Sequence, residues 1–278
     1  MELTSFGVWV SSRAADGERA SEAAALAEEL GFGALWLGGS PKLPALRTLL
    51  AATERLAVAT GILNVWANEP AAVAAEHAEL AREFPGRVLL GIGIGHPEAT
   101  GDYAHPLRTM TAFLDGLDGA ATPVPRGERC LAALGPRMLD LSRERTLGAH
   151  PYFVPVAHTR AARARLGEGP LLAPELTCVL DEDAERAQAK VRTFAERYLA
   201  LSNYANNLLR HGFTAADLAG GGSQRLLDAV VPQGSAEAVA AVAREHLEAG
   251  ANHVCLQAAG VEGVPRAEWT ALARALLG

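Results

Sequence analysis

Short apolar runs alternate with longer segments in which apolar residues recur every three or four positions along almost the whole chain. The first pattern is typical of strands buried on both faces, and the second of helices that cover a sheet. Eight strands are predicted, at 3–10, 33–38, 56–63, 87–94, 129–134, 149–154, 171–180 and 253–257. Helices are predicted at 18–30, 44–55, 69–84, 106–117, 136–146, 159–166, 183–201, 204–211, 223–231, 235–249 and 266–277.

Residues that favour helix ends mark several of these boundaries. Asp16, Asn68 and Ser235 each precede a helical pattern and are predicted to cap it through the side-chain oxygen. Gly31 and Gly250 follow helical patterns and are predicted to end them. Every strand is therefore followed by at least one helix.

Eight βα units in 278 residues predict an α/β fold, a (β/α)8 barrel with a helical insertion at about 182–233, between strands seven and eight. A doubly wound open sheet is built from the same units and is the competing architecture. The count of eight favours the barrel. The chain contains no linker rich in Pro, Gly or Ser, so residues 1–278 are interpreted as one domain.

A glycine-rich stretch follows the fourth predicted strand, with Gly91, Gly93 and Gly95 at alternate positions. A dinucleotide-binding fingerprint would need a third glycine where His96 and Pro97 stand, and it would lie in the first βα unit. At the mouth of a barrel, glycines instead let a flat ligand approach the backbone. The alternative is that these glycines only relieve crowding inside the barrel.

Composition excludes several classes of protein. The net charge of −7 argues against a nucleic-acid partner. No apolar run approaches the ~20 residues of a membrane span, and the first residues lack the basic start of a signal peptide. These features predict a cytoplasmic protein that does not bind membranes.

The sulfur and imidazole groups do not form a metal pattern. Cys130, Cys178 and Cys255 lie far apart in apolar runs, which predicts buried thiols rather than a disulfide framework. The eight histidines form no dense ligand motif, so no metal is predicted. Four histidines in or beside predicted helices are expected at the surface: His77, His158, His211 and His246.

Two segments resemble a known enzyme family. GILNVWANEPAAVAAEHAELAREFPGRVLLGIGIGHP, residues 61–97, resembles the core of the luciferase-like oxidoreductases of the deazaflavin (coenzyme F420) and flavin type. LAALGPRMLDLSRERTLGAHPYFVPVAHT, residues 131–159, is similar to one subgroup, short actinobacterial proteins considered probable F420-dependent oxidoreductases. The similarity extends to LLAPELTCVLDEDAERA and AGANHVCLQ, near the end of the chain. It implies a TIM barrel, in agreement with the count of βα units.

The resemblance implies that the tricyclic ring of the cofactor lies in the barrel mouth. A non-proline cis peptide bond behind the ring is then expected at Gly61–Ile62. Gly39 and Gly95, at the ends of strands two and four, are expected beside the ring. Asn64 would contact the ring or the substrate, or is a plain turn residue. Trp66 would stack on a ring or serve only in packing.

The resemblance also implies a site for the ribityl chain and phosphate at the ends of strands five and six, at Leu134-Gly135-Pro136-Arg137 and Ala149-His150-Pro151. Gly135 and Pro136 open a helix whose free N–H groups can meet a phosphate, and Arg137 adds a positive charge. The alternative is a good helix start followed by a solvated charge.

One departure from the family pattern concerns the proton donor. Many F420-dependent members carry a polar pair such as Asp-His after strand two, whereas this chain has Gly38-Gly39-Ser40. Either the reaction needs no proton donor, or the donor comes from elsewhere, with His96 the first candidate and His150 the second. Further candidates, on the His96 loop, are Glu98, Asp102 and Tyr103. Each histidine could instead be a hydrogen-bonded structural residue.

The sequence therefore predicts an F420-dependent oxidoreductase that transfers a hydride between the deazaflavin and a small organic substrate. An FMN-dependent monooxygenase on the same fold is the nearest alternative, and a barrel that binds a cofactor without turnover is another. Members of the family commonly form dimers, so a homodimer is an expectation, although no stretch of sequence marks an interface.

Overall fold

A computed structural model describes residues 3–101 and 103–278. Its strands are β1 Phe6–Ser11, β2 Ala34–Gly38, β3 Ala57–Gly61, β4 Leu63–Asn64, β5 Val88–Gly93, β6 Arg129–Leu131, β7 Gly148–Ala149, β8 Leu171–Leu172, β9 Glu175–Leu180, β10 Gln233–Gly234 and β11 Val254–Ala258. Its α-helices are α1 Glu18–Glu29, α2 Leu46–Ala51, α3 Pro70–Glu83, α4 Pro106–Asp118, α5 Pro136–Arg145, α6 Val156–Leu166, α7 Ala184–Leu199, α8 Ser202–Arg210, α9 Ala215–Leu218, α10 Gln224–Val230, α11 Ala236–Glu248 and α12 Arg266–Leu277.

The sheet is parallel and closes on itself through its seventh predicted strand. That strand divides at Ala173 and Pro174 into β8, which pairs with β7, and β9, which pairs with β11. From β11 the order continues through β1, β2, β3, β5, β6 and β7, with β4 paired to β5. Because β8 and β9 are consecutive in the chain, the two ends of this order meet. The predicted barrel is confirmed, and the open sheet is excluded.

Two strands are shorter than predicted, at 129–134 and 149–154. The chain leaves the sheet after Leu131 and again after Ala149. Gly135 then caps α5, and Pro151 and Pro155, which lack an N–H for ladder pairing, lie in the next loop. The apolar residues that follow Leu131 and Ala149 therefore lie in loops at the barrel mouth.

The predicted helix caps are confirmed in part. Ser235 accepts a hydrogen bond from the N–H of Ala238 and caps α11. The prediction for Asp16 was wrong, because Gly17 is the N-cap of α1. Asn68 was also wrongly predicted: its amide donates to the carbonyl of Asn64, and Glu69 is the N-cap of α3, which begins with Pro70.

The core has two layers, one inside the barrel and one between sheet and helices. Trp36, Cys130 and Cys255 are among the residues packed inside the barrel, and all three cysteines are buried as predicted. The expected surface position of three histidines was wrong, since His77, His158 and His246 are at most 2% exposed. His158 lies 3.2 Å from the carbonyl of Leu134 and His246 lies 2.8 Å from the hydroxyl of Thr159. These hydrogen bonds replace water, and the partners come from distant segments that periodicity does not reveal. His211 is half-buried.

Helices α7 to α10 and the short strand β10 lie between β9 and β11, where the insertion was predicted. They pack around a second apolar cluster, which includes Phe153, Val191, Tyr204 and Leu227. Phe153 belongs to the loop after β7, so this cluster joins the insertion to the carboxyl end of the barrel. Throughout residues 3–101 and 103–278, no helix has both the length and the apolar character needed to cross a membrane.

Candidate active site

The carboxyl ends of the strands surround a cavity of about 590 Å³. Gly61, Gly95 and Gly135 follow three different strands, and all three line this cavity. The volume lies in the range of roughly 300–1,000 Å³ that small-molecule sites occupy. Active sites of (β/α)8 barrels lie at this end of the strands.

Most of the residues singled out from the sequence lie in the wall of this cavity. Besides the three glycines, these are Gly39, Ile62, Asn64, His96, Leu134 and His150. Two predicted cofactor ligands do not lie there. Pro136 lines a second cavity, and Arg137 is exposed and lines neither.

Two glycines make room for the indole of Trp9. A Cβ on Gly38 would overlap the ring of Trp9, and one on Gly61 would lie 2.7 Å from its Nε1. Trp9 lines the cavity, and its Nε1–H is buried without a hydrogen-bond partner among the described residues. Trp9 therefore brings an unpaired, buried donor to the wall of the cavity. The sequence analysis missed it because it lies inside an apolar strand run.

The segment that follows β3 also lines the cavity. The Gly61–Ile62 peptide bond is cis, as the resemblance implied. Asn64 lines the cavity, while its Oδ1 accepts a hydrogen bond from the N–H of Trp66. Trp66 donates from its Nε1 to the carbonyl of Ile94 at 2.6 Å and packs against the core. Trp66 therefore packs against the core, while Asn64 both stabilises the turn and lines the cavity.

His150 is held by the barrel in one tautomer. Its Nδ1 lies 2.7 Å from the carbonyl oxygen of Ala173, which can only accept, so Nδ1 carries the hydrogen. Its Nε2 is buried without a partner among the described residues, as a lone-pair acceptor. Burial lowers the pKa of His150 to about 4, so the ring is neutral at pH 7. This geometry suits hydrogen-bond acceptance and disfavours the predicted role of proton donor.

His96 lies where the loop after β5 meets the insertion. The amide of Asn203 donates to the carbonyl of Gly95 at 3.2 Å and to Nδ1 of His96 at 3.4 Å. The ring of Tyr204 lies 4.9 Å from that of His96, between centroids. Burial lowers the pKa of His96, and nearby Glu98 opposes that shift. With Nδ1 as acceptor, Nε2 carries the hydrogen of the neutral ring.

The other candidate acids on this loop differ in their placement. Glu98 accepts a hydrogen bond from the N–H of Ser202 at 2.9 Å, and this bond lowers the pKa of its carboxyl. Glu98 is thereby engaged with the start of α8. Tyr103 lines the cavity beside Trp66, with ring centroids 5.9 Å apart. Asp102 lies outside the described residues.

An aromatic wall that the sequence analysis missed completes the cavity. Tyr152 follows β7, Tyr198 lies on α7 and Tyr204 on α8. The hydroxyl of Tyr152 donates to Oε1 of Gln257 at 2.8 Å and lies 2.9 Å from the hydroxyl of Tyr198. Burial raises the pKa of all three phenols, so their hydroxyls keep their hydrogens at neutral pH. A visible signal was that three of the four tyrosines fall within 152–204.

A buried carboxyl group lies close to this wall. Glu175, at the start of β9, is 1% exposed. It accepts hydrogen bonds from the hydroxyl of Thr177 and from the N–H of Phe153. Burial raises its pKa to about 8. At neutral pH Glu175 is therefore mostly protonated.

The second cavity, of about 550 Å³, lies beside the first and shares Leu134 and Arg210 with it. Arg210 Nη2 would lie 4.0 Å from a Cβ on Gly135, the N-cap of α5. Helix N-termini favour anions, and an arginine adds charged donors. Arg210, from the insertion, thus lies beside the start of α5 and borders both cavities, whereas Arg137, in the first turn of α5, lines neither.

A closed barrel with an aromatic, glycine-lined cavity at the carboxyl ends of its strands is the arrangement of a (β/α)8-barrel enzyme. The sequence matches the luciferase-like monooxygenase family over residues 2–262, and the chain belongs to that family. The protein is thus a luciferase-like oxidoreductase.

Solved structures share this fold across nearly the whole chain. An F420-dependent secondary alcohol dehydrogenase in complex with an F420-acetone adduct is 16% identical, with a TM-score of 0.77 and coverage of 100% of this chain and 99% of that one. The coenzyme F420 dependent tetrahydromethanopterin reductase from Methanopyrus kandleri is also 16% identical, with a TM-score of 0.78 and the same coverages.

A type II Baeyer–Villiger monooxygenase from Pseudomonas putida, in complex with FMN, is 15% identical, with a TM-score of 0.68 and coverages of 98% and 96%. At these identities the likeness concerns the fold. No curated protein matches the sequence.

Proposed function

We propose that the protein is an F420-dependent oxidoreductase acting on a small organic substrate. One observation carries the proposal: Gly61, Gly95 and Gly135 converge on one cavity that also holds two buried, unpaired ring nitrogens. Trp9 Nε1 is a donor and His150 Nε2 is an acceptor. A flat heterocycle with both acceptor and donor atoms on its edge satisfies both nitrogens. When bound, the deazaflavin supplies or accepts a hydride.

The strand ends are suited to hold such a ring. Gly39, Gly61 and Gly95 leave no side chain between the backbone and the cavity. His150 is stacked on Trp36, with ring centroids 3.9 Å apart, and this contact fixes the direction of its acceptor. A ligand that accepts from Trp9 and donates to His150 would end the unpaired state of two buried polar atoms, each of which costs about 1–3 kcal/mol.

The start of α5 is suited to hold an anionic tail. Gly135, the N-cap of α5, adjoins Arg210. In the first turn, the N–H groups of Met138 and Leu139 already donate to the Gly135 carbonyl, so Arg210 supplies most of the donors at this end. Within the described residues, Arg210 has one side-chain partner, Oδ1 of Asn207, at 3.4 Å. Its guanidinium therefore has donors left for a phosphate. Leu134 and Arg210 border both cavities, so a long ligand can extend from the first cavity to the second.

The proposal is tested by titrating the purified protein with F420, FMN and FAD and recording fluorescence quenching. We expect F420 to bind at least about tenfold more tightly than FMN, a difference of about 1.4 kcal/mol. Trp9→Phe, which keeps an aromatic ring but removes the N–H, should weaken F420 binding. Arg137→Gln, outside both cavities, is the matched control and should leave it unchanged.

Hydride exchange with bound F420 then tests for turnover. Exchange with a carbonyl or alcohol substrate is the expected result. Tight FMN binding without F420 binding would overturn the proposal in favour of an FMN-dependent monooxygenase. Binding without exchange for any substrate tried would indicate a barrel that binds a cofactor without catalysis.

A further inference from the structure

Helices α7 and α8 of the insertion contribute polar groups to the wall of the main cavity. These groups are separate from Trp9 and His150, the proposed contacts of the cofactor ring. Tyr198 of α7 and Asn203, Tyr204 and Asn206 of α8 all line the main cavity. Phenol and amide groups are neutral hydrogen-bonding groups. The wall therefore selects for hydrogen-bonding capacity rather than for charge.

Charge is nearly absent from the cavity. Among its lining residues in the described chain there is no Asp, Glu or Lys, and Arg210 is the single arginine. Burial lowers the pKa of His96 and of His150, so both rings favour the neutral form. Arg210 lies at the Gly135 end, beside the start of α5. A charged substrate elsewhere in the cavity would be desolvated without a counter-ion, which is costly.

Apolar surface makes up much of the remaining wall. Ile62, Ile94, Met138 and Pro106 line the cavity together with the aromatic rings. Apolar surface on a ligand gains roughly 25 cal/mol for each Å² removed from water. The substrate body that this wall favours is therefore apolar.

The hydroxyl pair defines where a substrate oxygen can be bound. Tyr152 uses its single hydrogen in the bond to Oε1 of Gln257. In the 2.9 Å contact between the two hydroxyls, Tyr198 must then be the donor. Because a hydroxyl hydrogen rotates, Tyr198 can turn it from Tyr152 to a carbonyl oxygen in the cavity. While it donates to Tyr152, Tyr198 can instead accept from a ligand hydroxyl.

We infer that the substrate is an uncharged compound with an apolar body and one carbonyl or hydroxyl oxygen, and that Tyr198 forms the hydrogen bond to that oxygen. The inference rests on the proposed function and adds its substrate class. The Tyr198 hydroxyl donates to the carbonyl oxygen of the oxidised substrate and accepts from the hydroxyl of the reduced substrate. Tyr152, whose own hydrogen is held by Gln257, accepts the Tyr198 hydrogen until a substrate carbonyl takes its place.

The test uses the protein loaded with F420 and three probes of similar shape: acetophenone, α-methylstyrene and benzoate. Acetophenone and α-methylstyrene differ in that a carbonyl oxygen replaces a methylene group. Calorimetry or competition fluorescence gives the affinity of each probe. We expect acetophenone to bind more tightly than benzoate. We also expect Tyr198→Phe to lower the acetophenone/α-methylstyrene affinity ratio by about 5- to 10-fold, the range of one hydrogen bond.

Two further variants separate a direct contact from a structural effect. Tyr152→Phe removes the competing acceptor for the Tyr198 hydrogen, so the affinity ratio should stay the same or rise. Thr193→Ala removes an exposed hydroxyl on α7 that bonds its own helix, at the Ala189 carbonyl, and should leave the ratio unchanged. Thermal unfolding of each variant checks that the fold is kept.

The outcomes distinguish failure of this inference from failure of the proposed function. If the wild-type protein does not bind F420, the proposed function fails. If it loads F420 and Tyr198→Phe leaves the ratio unchanged, the inference fails alone. Tighter binding of benzoate than of acetophenone would overturn the substrate class. An equal fall in the ratio for Tyr152→Phe and Tyr198→Phe would show that the wall acts only through packing.

Discussion

The imidazole of His150 lies flat against the indole of Trp36, with ring centroids 3.9 Å apart and 13° between the ring planes. Trp36 in turn donates from Nε1 to Nε2 of His253 at 3.1 Å. Nδ1 of His253 lies 2.6 Å from the carbonyl of Thr4, at the other end of the barrel. The barrel interior thus contains two neutral imidazoles around one indole, His150 stacked on its face and His253 at its Nε1 edge.

This arrangement predicts that His150 does not titrate near neutral pH. Burial lowers its pKa to about 4, and the carbonyl of Ala173 keeps the hydrogen on Nδ1. Nitrogen NMR of the imidazoles should show a neutral Nδ1–H tautomer from pH 8 down to about pH 5. The resonance is assigned by its absence in His150→Gln. A midpoint above pH 6 would contradict the assignment of His150 as an acceptor.

The residues at strand ends could be predicted from the sequence because a barrel brings all its carboxyl strand ends together. Gly61, Gly95 and Gly135 are examples: the order of the apolar runs places them at strand ends, and the family resemblance implied a ligand-binding role for Gly61 and Gly135. Tyr198 could not be predicted in this way, because its position depends on how α7 packs across the barrel.

Contacts between distant segments also explain why the burial of three histidines and the position of Arg210 could not be predicted. His158 is buried beside the carbonyl of Leu134, a hydrogen-bond partner 24 residues away in the sequence. Arg210 of the insertion lies close to the start of α5. Such contacts leave no periodic signal in the sequence. The predicted lengths of β6 and β7 were wrong because the apolar runs continue past Leu131 and Ala149 into loops that line the barrel mouth.

Gly38 should tolerate no side chain, because a Cβ there would overlap Trp9. We expect Gly38→Ala to lower the free energy of unfolding by about 1–3 kcal/mol, the usual cost of overpacking. Displacement of Trp9 should also weaken F420 binding. The control is Gly169→Ala, where an exposed glycine has no atom within 4 Å of the added Cβ. Denaturant unfolding and F420 titration measure both effects, and equal stability of the two variants would refute the prediction.

Arg210 should contribute to cofactor affinity through the phosphate. A charged hydrogen bond contributes about 1.5–3 kcal/mol, so Arg210→Gln should weaken F420 binding by roughly 10- to 100-fold. The deazaflavin without its phosphate should lose little affinity in the same variant. Arg137→Gln is the protein control. A larger effect of Arg137→Gln than of Arg210→Gln would restore the prediction made from the sequence.

Buried histidines should make the fold sensitive to acid. Their pKa values are lowered by burial to about 4, or about 3 for His158, from an ordinary value of 6.5: His77, His150, His158, His246 and His253. Between these values the unfolded chain binds more protons than the folded chain. Stability is therefore present above pH 6.5 and lost as the pH falls from 6.5 to about 4.

One of these histidines isolates the effect. His246 is fully buried, and its shift from 6.5 to about 4 corresponds to about 3 kcal/mol at most. Replacement by Gln keeps a partner for Thr159 and should flatten the fall in unfolding free energy between pH 6.5 and 4. His105→Asn, on an exposed loop, should leave the slope as it is. Denaturant unfolding at half-unit pH steps gives both slopes, and identical slopes for His246→Gln and wild type would contradict this account.

Glu175 should produce a second, opposite dependence on pH. Burial raises its pKa from 4.5 to about 8, so the folded chain holds a proton that the unfolded chain has lost. This contribution to stability is full below pH 4.5 and is lost as the pH rises through 8. Below pH 6.5 the five histidines outweigh it. Above pH 6.5 their effect fades as the unfolded chain also loses these protons, and near about pH 7 the effect of Glu175 becomes the larger. The free energy of unfolding should therefore be greatest near about pH 7.

Glu175→Gln tests this directly, because the amide does not ionise: its oxygen can accept from the N–H of Phe153 while its nitrogen donates to the Thr177 hydroxyl. The decline in unfolding free energy between about pH 7 and 8.5 should be smaller in this variant than in the wild type, while the fall on the acid side remains. At pH 8.5 the variant should therefore be more stable than the wild type. A uniform loss of stability at every pH would show instead that the carboxyl group is needed for packing. In that case the alkaline decline would have to arise from another group.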